Sequence, residues 1–169
     1  PLMYKRIGSH KRVVEIYGSR LVGEGVITAD TEGVIDYLNG AAEKLTGFTR
    51  ENAIGKRMTD LMTLVDETDR KDLGDPVARC LSERRQIGLG RRALMIAKDG
   101  DRELSVELTA SPIIGAGDTV AGAVVIMHDV TEIRGLTRRI SYQAAHDALT
   151  GLINRGEFER RLAETLEGG

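Results

Sequence analysis

Cys80 is the single cysteine among 169 residues, so no disulfide can close within the chain and no cluster of thiolates can hold a metal. That usage fits a reducing compartment, and a cytoplasmic location is expected. No apolar run approaches the ~20 residues that a bilayer-crossing helix requires. The start of the chain also lacks the basic, apolar and small-residue succession of a secretory signal. Charge of one sign is missing: 24 lysines and arginines face 26 aspartates and glutamates, a formal net charge of -2. A global basic field that would draw nucleic acid is therefore absent. Tryptophan does not occur and aromatic residues make up 4%, which leaves few rings to stack on a flat cofactor. There is no internal repeat and no low-complexity tract.

What is present is a globular composition, 41% hydrophobic and 30% charged. The length suits one ordinary domain with helical extensions. Both ends, Pro1 and Glu167-Gly168-Gly169, are expected to be cut from something longer. Between Lys11 and Leu21, the apolar residues Val13, Val14, Tyr17 and Leu21 fall at helical spacing, which predicts an amphipathic N-terminal helix. Two short apolar stretches, 25–29 and 34–38, flank Asp30-Thr31-Glu32-Gly33. That is turn chemistry, so a hairpin is expected.

Asn39 stands where its side chain can cap a short helix beginning at Gly40, and Gly47 stands where that helix can end left-handed. Thr49 and Asp75 are further N-cap candidates, the latter followed by Pro76. The helix after Asp75 is expected to carry Val77, Cys80, Leu81 and Arg84 on one face. A strand is expected over 92–98, then a hairpin at Asp99-Gly100. Alternation follows, with Leu104, Val106, Leu108 and Ala110 on one face and Glu103, Ser105, Glu107 and Thr109 on the other. After a turn at Gly115-Ala116-Gly117-Asp118, residues 120–127 read as a nearly all-apolar central strand. The order is two strands, several short helices, then three strands. The expected class is α+β, with five antiparallel strands and helices on one side. Beyond Thr131, the residues Ile133, Leu136 and Ile140 form a heptad-like seam on a second extension helix, which Gly135 weakens by roughly 1 kcal/mol.

Several of these residues carry a resemblance. Tyr37-Leu38-Asn39-Gly40-Ala41-Ala42-Glu43, then Leu45-Thr46-Gly47-Phe48, then Glu51 to Gly55, resemble the successive motifs of PAS domains. Asp129-Val130-Thr131-Glu132 matches the Asp-Ile-Thr-Glu that ends the last strand in that family, with one conservative change. The resemblance spans about residues 22 to 132. A second begins at His146-Asp147-Ala148-Leu149-Thr150-Gly151-Leu152-Ile153-Asn154-Arg155 and includes Phe158. It is similar to the opening of GGDEF domains, which make cyclic di-GMP from GTP, and its wording also resembles tandem GGDEF–EAL proteins. The division implied is an N-terminal helix over 1–21, a PAS domain over 22–130, a linker helix over 131–146 and the start of a GGDEF domain over 147–169.

No catalytic constellation is expected in this chain, and no metal site. Asp66, Glu67, Asp69 and Asp72 read as a solvated loop, since Arg70 and Lys71 interleave them. Gly88-x-Gly90 and Gly115-x-Gly117 lack the context of a phosphate loop. The parent protein is expected to be a diguanylate cyclase, with a phosphodiesterase domain as a further option. The PAS resemblance implies a pocket, whose candidate lining is Asn39, Cys80, Arg91, Met95 and Met127. Its cofactor is unknown. Haem is disfavoured, because His10, His128 and His146 lie outside that lining. Flavin is disfavoured because 55–61 lacks the photoactive cysteine. Arg91 and Arg92 could pair with the carboxylate of a small acid, while simple solvation of both is the blander alternative, and an empty, packed interior remains open beside a filled one. Met58, Met62, Met95 and Met127 otherwise read as core fillers and Cys80 as inert packing. The signal-relay candidates are Asp129 and Thr131, which can tie the last strand to the exit helix, with Ile133, Leu136 and Ile140. A homodimer through the two extension helices is the expected partnership.

Overall fold

The computed structural model describes residues 23–98, 102–147 and 150–167, and it does not describe the side chains of Arg91 and Glu167. The expected N-terminal helix and the Asp99-Gly100 turn lie outside these residues. The chain divides into two compact units at the Val130–Thr131 boundary.

The first unit begins with β1 (Gly25–Ala29) and β2 (Ile35–Leu38). Between them Asp30 accepts the backbone N–H groups of Glu32 and Val34, and Gly33 takes a φ of 79°. The turn forms as its sequence dictates. Three short helices follow, α1 (Gly40–Thr46), α2 (Arg50–Ala53) and α3 (Met58–Leu61). Gly47 ends α1 at a φ of 81° and returns its N–H to Glu43. Thr49 occupies the N-cap position of α2 but makes no side-chain capping bond.

Next come β3 (Met62–Asp66), α4 (Pro76–Glu83), β4 (Ile87–Ala97), β5 (Glu103–Ile114) and β6 (Val120–Asp129). Asp75 caps α4 by accepting from Val77 and Ala78. All strand pairings are antiparallel, in the order β2-β1-β6-β5-β4-β3. The class is α+β, but the described sheet has six strands and not five. The extra one, β3, is an edge strand paired with Ala93–Ala97 of β4. Its five residues precede a charged stretch, so the segment reads as loop in sequence while Met62 and Leu64 are buried. β4 also starts five residues earlier than expected, because Gly88 and Gly90 lie inside the strand and do not break it. Arg84 is not on the apolar face of α4: it ends that helix at a φ of 50° and is exposed.

The main core lies on one face of the sheet. Ile27, Leu38, Leu61, Met95, Leu108 and Val125 fill it, and α4 closes it with Val77 and Cys80. Burial of side chains like these contributes ~1.5–3 kcal/mol each. Helix α1 approaches β1 so closely that a Cβ at Gly25 would stand 2.8 Å from Leu45 Cδ1 and 3.3 Å from the Ala42 backbone. β6 sits between β1 and β5 and is apolar on both faces. Ala123, Val125 and Met127 join the main core, while Val124 joins Val26 and Ile113 in a second cluster.

The second unit holds α5 (Thr131–Ala145) and α6 (Arg155–Glu167). The residues that resemble a GGDEF opening build the turn between them. Asp147 accepts the N–H and hydroxyl of Thr150 at 3.0 and 3.1 Å. Asn154 donates to the Ala144 carbonyl at 2.6 Å and accepts the N–H of Glu157 at 2.9 Å, which caps α6. On α6, Glu157 accepts from Arg160 at 2.7 Å and from Arg161 at 2.8 Å. The Arg160 bond first, then the Arg161 bond, brings the Glu157 carboxyl down to about 2. Because the folded value is depressed, this stabilisation is complete above the ordinary 4.5 and is lost as pH falls through about 2. Circular dichroism at low salt should show helix loss in that window, and Glu157→Gln should remove the part of the transition that belongs to this ion triad.

Candidate functional site

Asn39, an N-cap and a pocket candidate by sequence, acts in this fold as a clamp. Its side-chain oxygen accepts from Val26 at 2.9 Å and from Ala42 at 2.8 Å, while its amide donates to the Glu24 carbonyl at 2.9 Å. One side chain thus caps α1 and fastens that helix to β1. Cys80, Met95 and Met127 are brought together: all three are fully buried in the main core. Burial pushes the Cys80 thiol up, which makes it a poor nucleophile. The side chain of Arg91 lies outside the described residues. Among the pocket candidates, the structure therefore places Cys80, Met95 and Met127 in the core and Asn39 at the junction of α1 and β1.

Two concave regions do open beside this core, both around β3. One, of about 160 Å³, lies over Met58, Met62, Leu64, Asp75 and Lys98. The other, of about 360 Å³, is bounded by Asp66, Leu73, Gly88, Leu89, Gly90 and Arg92, with Ala93 beneath. It exists because β3 stops early. β3 pairs with β4 at Ala93–Ala97 and the Glu67 N–H reaches the Arg92 carbonyl, while Ile87–Leu89 pairs with β5. Between Leu89 and Ala93, β4 advances four residues while β5 moves two, from Leu108 to Val106. Such a bulge re-aims side chains at a sheet edge. Gly88-x-Gly90, which lacks the context of a phosphate loop, lies in the stretch of β4 that lines this cleft. The paired glycines just before two arginines were the signal available.

The stretch after β3 is tied down by polar contacts. Asp66 accepts the Thr68 N–H at 2.7 Å, and this bond, then those from the Asp69 backbone and the Thr68 side chain and last the Arg92 charge, holds its carboxyl below the usual range against the opposing effect of burial. Arg70 meets Glu103 through two bonds of 2.9 and 3.1 Å, a bidentate geometry. No group of three or more metal-ligating side chains occurs among the described residues.

A chain of hydrogen bonds leads from this edge across the sheet. The Glu67 N–H donates to the Arg92 carbonyl at 2.7 Å. The Ser105 hydroxyl donates to Glu67 Oε1 at 3.2 Å. The Val130 N–H donates to the Ser105 carbonyl at 2.9 Å. Ser105, expected on the solvent face of its strand, is in fact buried. Asp129 ends β6 and is exposed, and Thr131 opens α5. On α5, Ile133 and Ile140 are each 65% exposed and Leu136 is 51% exposed. His128 lies 3.5 Å from Glu24, half-buried at the end of β6. No helix among the described residues is long and apolar enough to cross a membrane.

Comparison with known proteins fits this geometry. Residues 23–132 match the family described as PAS domain, and no GGDEF domain is detected in the chain. Over 148 residues it is 32% identical to a probable diguanylate cyclase, DgcE, of Escherichia coli, covering 86% of this chain and 13% of that protein. It is 28% identical to the cyclic di-GMP phosphodiesterase PdeB of Shewanella oneidensis, over 85% of this chain and 16% of the relative. It is 31% identical to the histidine-protein kinase AtoS of Escherichia coli, over 79% of this chain and 20% of the relative. The chain thus spans a fifth or less of these relatives. Among solved structures, a PAS domain of a Colwellia psychrerythraea protein superposes with a TM-score of 0.51 at 25% identity, covering 65% of this chain and 88% of that one. Replacing Asn39 by Ala removes both an N-cap and the acceptor for Val26, and should lower stability in urea unfolding by about 2–4 kcal/mol. The chain belongs to the PAS domain family, as a sensory or regulatory domain of bacterial signalling proteins.

Proposed function

We propose that this PAS domain regulates a cyclic di-GMP enzyme by relaying a change in its sheet through the helix that follows Val130. The observation that carries the proposal is the hydrogen-bond chain Arg92–Glu67–Ser105–Val130. It joins the open edge of the sheet to the last residue before α5. A shift of the edge would alter the register or rotation of that helix in a paired assembly. Similarity to a cyclase and a phosphodiesterase supports a cyclic di-GMP output. The short run from Asp147 to Phe158 supports a GGDEF domain directly downstream, in a protein longer than this chain.

Dimerisation is part of the reading. Ile133, Leu136 and Ile140 present an apolar seam that two copies would bury against each other. No reaction is assigned to the chain itself. Binding of a cofactor or metabolite in the PAS interior is a second reading, and the tight burial of Cys80, Met95 and Met127 favours a packed interior over it.

In the full-length protein, Ser105→Ala, which takes the hydroxyl away from Glu67, should leave cyclic di-GMP turnover in place and abolish its regulation. Turnover that remains regulated in that variant would sink the relay. Ile133→Asp should separately convert dimer to monomer in sedimentation, because Ile133 supports no core in this fold.

A further inference from the structure

We propose that the cleft at the open edge of β4 binds a small zwitterion of the aliphatic α-amino acid class, with its carboxylate on Arg92 and its ammonium on Asp66. The cleft holds about 360 Å³, within the range of small-molecule sites. Its floor is apolar: Leu89 and Ala93 are buried members of the main core, and Leu73 packs against that core. Among the described side chains, its rim carries one anion and one cation, Asp66 and Arg92. No aromatic side chain lines it among the described residues. A Cβ built on Gly88 or Gly90 would meet nothing within 4 Å, so the approach to the β4 backbone is open.

This composition selects among ligand classes. A simple carboxylate would pair with Arg92 but face the Asp66 charge. A simple amine would have the opposite conflict. A neutral apolar molecule would strip water from both charges and return nothing to either. A zwitterion with an aliphatic side chain satisfies both ends and uses the apolar floor. The site is also built to hold its shape. The Thr68 N–H keeps Asp66 ionised and oriented, and Glu67 pins the bulge through the Arg92 carbonyl. Occupancy would load the same residues from which the hydrogen-bond chain to Val130 departs. That consequence rests on the relay reading, whereas binding itself does not.

The test is nuclear magnetic resonance of the whole ¹⁵N-labelled chain, following the amides of Gly88, Gly90, Arg92 and Val130. The probes are L-leucine, 4-methylpentanoate, which lacks the ammonium, and 3-methylbutylamine, which lacks the carboxylate. L-leucine should shift the cleft amides saturably, and each analogue should bind at least about tenfold more weakly, since each loses a charge-assisted contact. Asp66→Asn keeps the acceptor for Thr68, Arg92→Gln alters an exposed side chain, and each should weaken L-leucine by a similar factor. Unmoved cleft amides at about 10 mM L-leucine, or equal binding of 4-methylpentanoate, would overturn the site. Cleft shifts without any change at Val130 would keep the site and remove its link to the relay.

Discussion

The hydrogen bond from Val130 to the Ser105 carbonyl, at 2.9 Å, closes the sheet at the point where the first unit ends. Its geometry depends on where β5 holds Ser105, and that placement is fixed from two sides. Val106 and Leu108 anchor β5 in the main core, while the Ser105 hydroxyl reaches Glu67. A buried hydroxyl without a partner would cost ~1–3 kcal/mol. The bond to Glu67 therefore constrains the stretch after β3 as well as β5. Hydrogen bonds through one buried serine thus run from the end of β6 to the open edge of β4.

The opposite end of the sheet is held by a different device. Asn39 gives one oxygen to both Val26 and Ala42, so the cap of α1 and the position of β1 stand or fall together. Gly25 lets the helix come close enough for that sharing. The two arrangements divide the labour of the domain. One end is locked by a clamp and close packing. The other ends in a bulge, a cleft and a short polar chain. A family that serves many outputs fits such a division, since the relatives include a cyclase, a phosphodiesterase and a kinase.

Much of this was legible from the chain. The Asp30–Gly33 turn, the caps at Asn39 and Asp75, the left-handed Gly47 and the strands around Val106 and Val125 follow from local chemistry that acts within a few residues. What stayed hidden depends on non-local pairing. β3 is too short and too close to charge to announce itself, and becomes a strand only because Ala93–Ala97 lies beside it. Ser105 keeps the face that alternation assigns, and its burial there comes from another segment, with Glu67 accepting its hydroxyl. Asn39 caps α1 as its sequence position indicates, and the second bond of the same oxygen, to Val26, comes from a strand thirteen residues away. The cleft was missed because it is made by the ending of one strand and the bulging of another. Neither event has a motif.

The central claim is that the polar chain through Ser105 transmits strain to Val130. Amide hydrogen exchange at Val130 in Ser105→Ala, read beside Ile27 in the same sample, tests it most directly. The account predicts that Val130 exchanges about tenfold faster in the variant while Ile27 keeps its protection. Unchanged exchange at Val130, with Ser105 shown to be substituted and the core intact, would contradict it.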